Sequence, residues 1–210
     1  MDHEPAVYLV DDDAGVLDSL RYLVESAGHR VETFENARQL LDRARRRPPT
    51  GCLVADLRLP GMSGLDMIDA LAELGVRLPT VVITGHGDVP AAVRAMKTGA
   101  IDFLEKPFSD EALLRRIDEA LAISRDRHAA DTALADVAHR HRQLTPRESQ
   151  VMDAVVEGKL NKQIAAELGL SHKTIEVHRA HVMAKMRAGS LANLVRMAVR
   201  LEAAGNAPAA

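Results

Sequence analysis

The sequence predicts a doubly wound α/β domain of about 120 residues, followed by a linker and a smaller all-α domain. Short apolar, β-branched segments alternate with segments of helical periodicity up to about residue 122. The last third instead contains short helical segments that are separated by glycines. Charge divides near the same place, because residues 1–124 carry 14 basic and 21 acidic residues, whereas residues 125–210 carry 13 and 9. We therefore expect two units with different partners.

Composition excludes several classes of protein. Hydrophobic residues make up 47% of the chain and charged residues 27%, a balance that is typical of globular proteins. No apolar run approaches the roughly 18 residues that a membrane span requires, and the N-terminus has no signal-peptide pattern, so we expect a cytoplasmic protein without a membrane partner. The single cysteine excludes an internal disulfide framework and a cysteine-rich zinc site.

The first domain is predicted to contain five strands. Helical segments lie between them, and glycines stand where the helices are expected to end. Strands that alternate with helices form right-handed crossovers and a parallel sheet covered on both faces, and five such units fit the strand order 2-1-3-4-5. The predicted strands are Ala6–Val10, Arg30–Phe34, Leu53–Ala55, Thr80–Thr84 and Ile101–Leu104.

Polar residues follow four of these strands. In such a sheet the carboxyl ends of the strands meet at one edge, where ligands bind. Converging carboxylates repel one another unless a hard cation lies among them, and Mg²⁺ accepts oxygen ligands. A carboxylate beside this ion, with a hydroxyl and an ammonium group opposite, has the groups needed to receive a phosphoryl group. The residues at this edge are Asp11, Asp12 and Asp13 after the first strand, Asp56 after the third, Thr84 at the end of the fourth and Lys106 after the fifth.

Four segments resemble the receiver domain of bacterial two-component response regulators: VDDD at 10–13, DLRLPGMSG at 56–64, TGHGD at 84–88 and DFLEKPF at 102–108. The resemblance implies a flavodoxin-like α/β receiver over residues 1–122, in which Asp56 accepts phosphate from a sensor histidine kinase. It also implies a cis peptide between Lys106 and Pro107. The implied roles are Mg²⁺ binding by Asp11, Asp12, Asp56 and the backbone carbonyl of Arg58, phosphoryl binding by Thr84 and Lys106, and a conformational switch at Phe103.

Residues 123–142 form the predicted linker. No glycine or proline occurs between Pro107 and Pro146, and the apolar pattern weakens after about residue 124. Either the helix continues as a semi-rigid connector, which we favour, or it breaks near 125–132 and leaves a hinge. The tail at 206–210 is expected to be disordered.

The last domain, residues 143–205, is predicted to contain four helices. Thr145 and Pro146 are typical of a helix start, and Gly158 and Gly169 end the first two helices. Two short helices around a glycine-containing turn, the second longer and basic, are typical of a helix-turn-helix. On the second of these, spacing predicts that Ile175, His178, Val182 and Met186 pack inside, whereas Lys173, Glu176, Val177, Ala180, His181 and Ala184 face outward.

This domain resembles the LuxR-type helix-turn-helix through LTPRE at 144–148, NKQIA at 161–165, LGLS at 168–171 and TIEVH at 174–178. With the receiver, the whole chain is similar to the FixJ-like branch of the NarL/FixJ regulators. Glu176 departs from this pattern, since many relatives have lysine there, and it either accepts from cytosine N4 or rejects other sites. The implied DNA contacts are Asn161, Lys162, Lys173, Thr174, Glu176, Val177 and Ala180, and from spacing we add Arg179, His181 and Lys185.

We therefore expect a phosphorylation-activated, sequence-specific transcriptional regulator, and not an enzyme beyond its own phosphoryl transfer and slow dephosphorylation. The resemblance implies an activator that binds promoter DNA as a dimer and acts with RNA polymerase. Dimerisation is expected through the face of the fourth predicted helix (about 89–98) and the fifth strand, at Val89, Ala92, Val93 and Met96. Two alternatives are a phosphotransfer or phosphatase enzyme, and a phosphorylation-independent DNA-binding protein that uses the receiver as a dimerisation scaffold.

Overall fold

A computed structural model describes residues 5–85, 93–96 and 99–205 of the chain. It contains the predicted parallel sheet, with five strands in the order β2-β1-β3-β4-β5, so the predicted fold class is confirmed. The strands are β1 (Ala6–Val10), β2 (Arg30–Phe34), β3 (Gly51–Asp56), β4 (Thr80–Thr84) and β5 (Ala100–Glu105).

Helices cover both faces of the sheet. Because side chains alternate along a strand, β1 directs Tyr8 to one core and Leu9 to the other. Helices α2 and α3 pack on the first face, and α1 and α4 pack on the second. The bounds of these helices are α1 (Ala14–Ser26), α2 (Ala37–Arg46), α3 (Gly64–Glu73) and α4 (Asp110–Arg142).

The linker at 123–142 is helical throughout, as part of α4. This agrees with the interpretation that the helix continues as a connector, and not with a break near 125–132. Its first turns bury Leu113, Ile117 and Leu121 against the sheet. Ser124 is the last residue of this stretch with a described hydrogen bond to the sheet, since its Oγ accepts from the backbone N–H of Gly51 at 3.2 Å. The side chains of residues 125–133 are exposed, which agrees with the polar pattern there. One compact unit ends at His128 and the second begins at Ala129.

The second compact unit is helical and has its own apolar core. Thr145 and Glu148 form a capping box at the start of α5, with Pro146 in the first turn. Gly169 ends α6 in the left-handed conformation. The helices of this unit after α4 are α5 (Pro146–Val156), α6 (Asn161–Leu168), α7 (His172–Met186) and α8 (Leu191–Gly205).

Two further expectations concern the C-terminal tail and membrane-spanning helices. The tail at 206–210 lies outside the described residues. Within the described ranges, no helix combines the length and apolar composition that crossing a bilayer requires.

The start of β3 requires glycine, and this requirement can be tested. Gly51 has a φ of 131°, and a Cβ atom there would lie 1.9 Å from the carbonyl oxygen of Ala6. We expect Gly51→Ala to lower the free energy of unfolding of the first unit by about 3 kcal/mol. Tyrosine fluorescence during urea unfolding reports this unit alone, because Tyr8 and Tyr22 are the two tyrosines of the chain.

Gly28→Ala is the matched control for this prediction. Gly28 also has a positive φ, 86°, but a Cβ there meets nothing within 4 Å. The free energy of unfolding of Gly28→Ala should fall by only about 1 kcal/mol, which is the cost of the left-handed backbone conformation for alanine. Equal losses in the two variants would contradict the collision as the cause.

Candidate functional site

The polar residues that follow the strands meet at the carboxyl edge of the sheet, as their positions predict. Asp11 follows β1, Asp56 ends β3, Thr84 ends β4 and Lys106 follows β5. Asp11 and Thr84 are buried, whereas the side chain of Asp56 remains 12% exposed. The edge is therefore a small polar pocket in which the Asp56 carboxylate is partly accessible.

Lys106 joins the two carboxylates of this pocket. Its Nζ donates to Asp11 Oδ2 at 2.9 Å and to Asp56 Oδ2 at 2.8 Å. Burial acts to lower the pKa of Lys106, but the hydrogen bonds to Asp56 and Asp11, together with their charges, outweigh it and raise the pKa. The lysine is therefore a stable ammonium, and it offsets the repulsion between the two acids.

Backbone groups fix the other oxygen of each carboxylate. The N–H of Asp13 donates to Asp11 Oδ1 at 2.9 Å, and the N–H of Arg58 donates to Asp56 Oδ1 at 2.8 Å. The N–H of Lys106 also donates to the backbone carbonyl of Thr84 at 2.7 Å, which joins the ends of β4 and β5. Main-chain N–H groups thus hold one oxygen of each carboxylate, and the Lys106 side chain holds the other.

Gly64 allows the chain after Asp56 to close tightly. Its N–H donates to the carbonyl of Leu57 at 3.0 Å, at the first residue of α3. A Cβ atom at this position would lie 2.2 Å from the backbone carbonyl oxygen of Asp56. The glycine therefore lets α3 begin directly against the residue that carries the candidate nucleophile.

The donor atoms of the pocket suit a hard cation. Asp11 and Asp56 converge on one ammonium group, so the pocket already stabilises positive charge, and carboxylate oxygens are ligands that Mg²⁺ prefers. Asp12, the third predicted ligand, is exposed beside Asp11. Among the residues that the structure describes, no three His, Cys, Asp or Glu side chains lie close enough together to hold a metal ion. Of the predicted acidic ligands, Asp11 and Asp56 are thus the two that converge in the structure.

The predicted switch and dimerisation residues are described in part. Phe103 is half-buried and packs on the first core, and the Lys106–Pro107 peptide is cis. Residues 93–96 are helical, with Val93 49% and Met96 53% exposed. Val89 and Ala92 lie outside the described residues.

A second candidate site is the outward face of α7. The predicted division of this helix into two faces holds for most residues: Ile175, Val182 and Met186 are buried. His178, which was expected inside, is half-buried, and its Nδ1 has no hydrogen-bond partner among the described residues. The outward residues that are exposed are Lys173, Glu176, Val177, Ala180, His181 and Ala184.

Several predicted DNA-contacting residues have polar partners within the unit. Lys173 Nζ donates to Glu176 Oε2 at 3.0 Å, and Arg179 donates to Asn161 Oδ1 at 2.6 Å. Thr174 lies in the first turn of α7, where its N–H donates to the Ser171 Oγ that caps the helix. Lys162 is exposed on α6 and has no ion pair among the residues described.

Lys185 has a partner that the sequence reasoning missed. Its Nζ donates to Glu148 Oε2 at 2.6 Å, and Glu148 is only 3% exposed. The capping-box pattern of Thr145 and Glu148 is visible in the sequence, but the lysine lies 37 residues farther along the chain. No local signal connects the two.

The chain matches two families of known proteins. Residues 7–118 match the response regulator receiver domain, and residues 142–198 match the bacterial regulatory proteins of the luxR family. The transcriptional regulatory protein FixJ of Bradyrhizobium diazoefficiens is 45% identical over 194 residues, which cover 92% of this chain and 94% of that protein. Nodulation protein W of the same organism is 46% identical over 200 residues, which cover 95% and 88%.

Solved structures agree with this assignment. The response regulator StyR superposes with a TM-score of 0.84 at 44% identity, covering 94% of this chain and 100% of that one. Full-length FixJ from B. japonicum superposes with a TM-score of 0.58 at 43% identity, covering 96% and 99%. The similarity therefore extends over both units of the chain.

The buried Glu148 makes the stability of the second unit depend on pH. The hydrogen bond from Lys185, followed by that from the Thr145 N–H, outweighs burial and lowers the pKa of Glu148 to about 2. Because this folded value lies below the ordinary one of 4.5, the contribution of Glu148 to stability is full above pH 4.5 and is lost as the pH falls towards 2. We expect Glu148→Gln to remove this part of the acid sensitivity.

Urea unfolding by far-UV circular dichroism at pH 7 and pH 3 measures the effect. The second unit contains no tyrosine, so the change should occur in the dichroism and not in tyrosine fluorescence. Wild type should lose more stability between the two pH values than Glu148→Gln. An equal loss in both proteins would contradict the role of this carboxylate.

Proposed function

The chain belongs to the response regulators that join a receiver domain to a LuxR-type DNA-binding domain, and we propose that phosphorylation of Asp56 activates it as a sequence-specific regulator of transcription. The observation that carries this proposal is the convergence of Asp11 and Asp56 on Lys106, in a chain that also presents an exposed helix-turn-helix face. FixJ, the relative named above, is a transcriptional regulatory protein. We further propose that this chain is cytoplasmic and activates transcription together with RNA polymerase.

The phosphoryl donor is proposed to be a phosphorylated histidine of a sensor kinase. A carboxylate oxygen of Asp56 attacks the phosphorus atom, the P–N bond breaks, and the imidazole leaves with its electron pair and takes up a proton. Mg²⁺ would be held by Asp11, Asp12, Asp56 and the carbonyl of Arg58, and when bound it neutralises charge on the phosphoryl oxygens. Lys106 offers its ammonium to the same oxygens, because its Nζ already lies 2.8 Å from Asp56 Oδ2.

The change at Asp56 is proposed to reach the surface through Thr84 and Phe103. The Thr84 hydroxyl donates to the new phosphoryl group and draws the end of β4 towards it. Phe103 is half-buried on the adjacent strand, paired with Val82, so it can follow into the space that Thr84 leaves. This movement alters the face of β5 and the helix at 93–96, where Val93 and Met96 are exposed.

Dimerisation then presents two copies of α7 to neighbouring half-sites on promoter DNA. Val177 and Ala180 offer apolar contacts to thymine methyl groups, and Glu176 and His181 offer polar contacts to base edges. Exposed Lys162 reaches the phosphate backbone from α6. Lys173, Thr174, Arg179 and Asn161 complete the proposed contact surface.

The phosphoryl transfer can be tested by intact mass after incubation with Mg²⁺ and acetyl phosphate. Wild type should gain one phosphoryl group, and Asp56→Ala should gain none, because it lacks the nucleophile. Asp69→Ala, which removes an exposed acid of α3, is the matched control and should react as wild type does. EDTA should suppress the reaction by removing the ion that the acidic residues bind.

If Asp56→Ala gains the same mass as wild type, another residue is the acceptor. If folded wild type gains nothing, the alternative of a phosphorylation-independent DNA-binding protein, with the receiver as a dimerisation scaffold, replaces the proposal.

The proposed dimer surface has its own test. We expect Val93→Asp and Met96→Asp to keep the phosphorylated protein monomeric in size-exclusion chromatography with light scattering, because each places a charge in an apolar contact. Leu74→Asp changes a similarly exposed apolar residue at the end of α3 and should still dimerise. Loss of the dimer in all three variants, or in none, would contradict this surface.

A further inference from the structure

We propose that Glu148 is a positioning residue for the recognition helix α7, and that Lys185 serves this carboxylate rather than the DNA backbone. The inference rests on the proposed function, since it concerns how the second unit binds a specific DNA sequence. It also replaces the phosphate contact that spacing on α7 predicts for Lys185.

One carboxylate connects the start of α5 with the last two turns of α7. Glu148 Oε2 accepts from the backbone N–H of Thr145 at 2.8 Å and from Lys185 Nζ at 2.6 Å. Glu148 Oε1 lies 3.5 Å from Nδ1 of His181. Lys185 Nζ also donates to the backbone carbonyl of Gln143 at 3.3 Å. The end of the recognition helix is thereby attached to the segment that precedes α5.

The burial of Glu148 keeps Lys185 in this pair. A buried carboxylate is costly unless it is paired and hydrogen-bonded, and Glu148 is 3% exposed. If Lys185 moved its Nζ to a DNA phosphate, it would leave that charge without its closest cation. The pair is net neutral, so we expect it to displace no condensed cations from DNA.

The same carboxylate orients a residue of the outward face. His181 is exposed, and its Nδ1 is directed towards Glu148, so the other ring nitrogen, Nε2, is the one left for a base edge. A further contact supports the same end of α7, where Arg140 donates to the backbone carbonyl of Met186 at 3.2 Å. Removing the Glu148–Lys185 pair should therefore shift His181 and the last turns of α7 against the bases.

The experiment compares two duplexes. One is selected by phosphorylated wild type from a random-sequence library, and the other is a scrambled duplex of the same length and composition. Affinities for both are measured by fluorescence anisotropy over a range of salt concentrations. The variants are Lys185→Met, the double variant Glu148→Gln with Lys185→Met, and Lys162→Met as the matched control, which removes an exposed lysine without an ion pair in the described part of the chain.

We expect Lys185→Met to weaken binding to the selected duplex roughly tenfold and to leave binding to the scrambled duplex unchanged. Its salt dependence should equal that of wild type. Lys162→Met should weaken binding to both duplexes and reduce the slope of log affinity against log salt by about 0.9 for each bound copy of the chain. The double variant should recover part of the selected-duplex affinity, because it leaves no unpaired buried charge.

Two results would overturn the inference: a reduced salt slope in Lys185→Met, as in Lys162→Met, or wild-type affinity of Lys185→Met for both duplexes. If Lys185→Met fails to fold, the double variant is judged by the same salt slope and by the ratio of its two affinities. If wild type selects no sequence, the proposed sequence-specific function fails, and the inference fails with it. That result can be told apart from a failure of the inference alone, in which wild type selects a sequence but Lys185→Met does not behave as expected.

Discussion

The first unit depends on one electrostatic constraint, which is that two carboxylates converge at the edge of the sheet with a single ammonium group between them. Parallel strands bring the residues that follow them to the same edge, so Asp11 and Asp56 approach each other through the topology itself. Like charges this close destabilise the fold unless a cation is shared. Lys106 provides that cation, while the N–H of Arg58 and the close approach of Gly64 keep Asp56 in register.

Much of this arrangement could be predicted because it is encoded locally. The β-branched segments and the helical spacing between them predicted five βα units, which fit the observed strand order, and this order brings the residues directly after the strands to one edge. On α7, spacing alone separated buried Ile175 and Val182 from exposed Val177 and Ala180. Periodicity succeeds in these cases because burial on one side of an element depends on residues a few positions apart.

The contacts that could not be predicted join residues that lie far apart in the chain and that the predicted strand order does not bring to a common edge. Arg94, on the helix at 93–96, donates to Asp66 of α3 at 2.7 Å, and no pattern near either residue indicates the pair. Lys185 is a similar case, since a basic residue on a recognition helix resembles a phosphate contact until its buried partner is known. Spacing identifies the face of a helix, but it does not identify which charges on that face are already neutralised.

The two units use the same chemical pair, a carboxylate with a lysine, for opposite purposes. Lys106 is shared between two acids, so in the proposed reaction a phosphoryl group on Asp56 would take one of its hydrogen bonds while Asp11 keeps the other. Glu148 and Lys185 have a different balance, because withdrawing the lysine leaves a buried charge without its closest cation. Because Lys106 has two acidic partners, it would be able to exchange one of them during the proposed reaction. Lys185 has Glu148 as its one acidic partner among the described residues, so this pair is a fixed part of the fold. The difference arises from the number of acids that each lysine contacts. Strand topology brings two acids to Lys106, whereas the capping box places Glu148 beside Lys185.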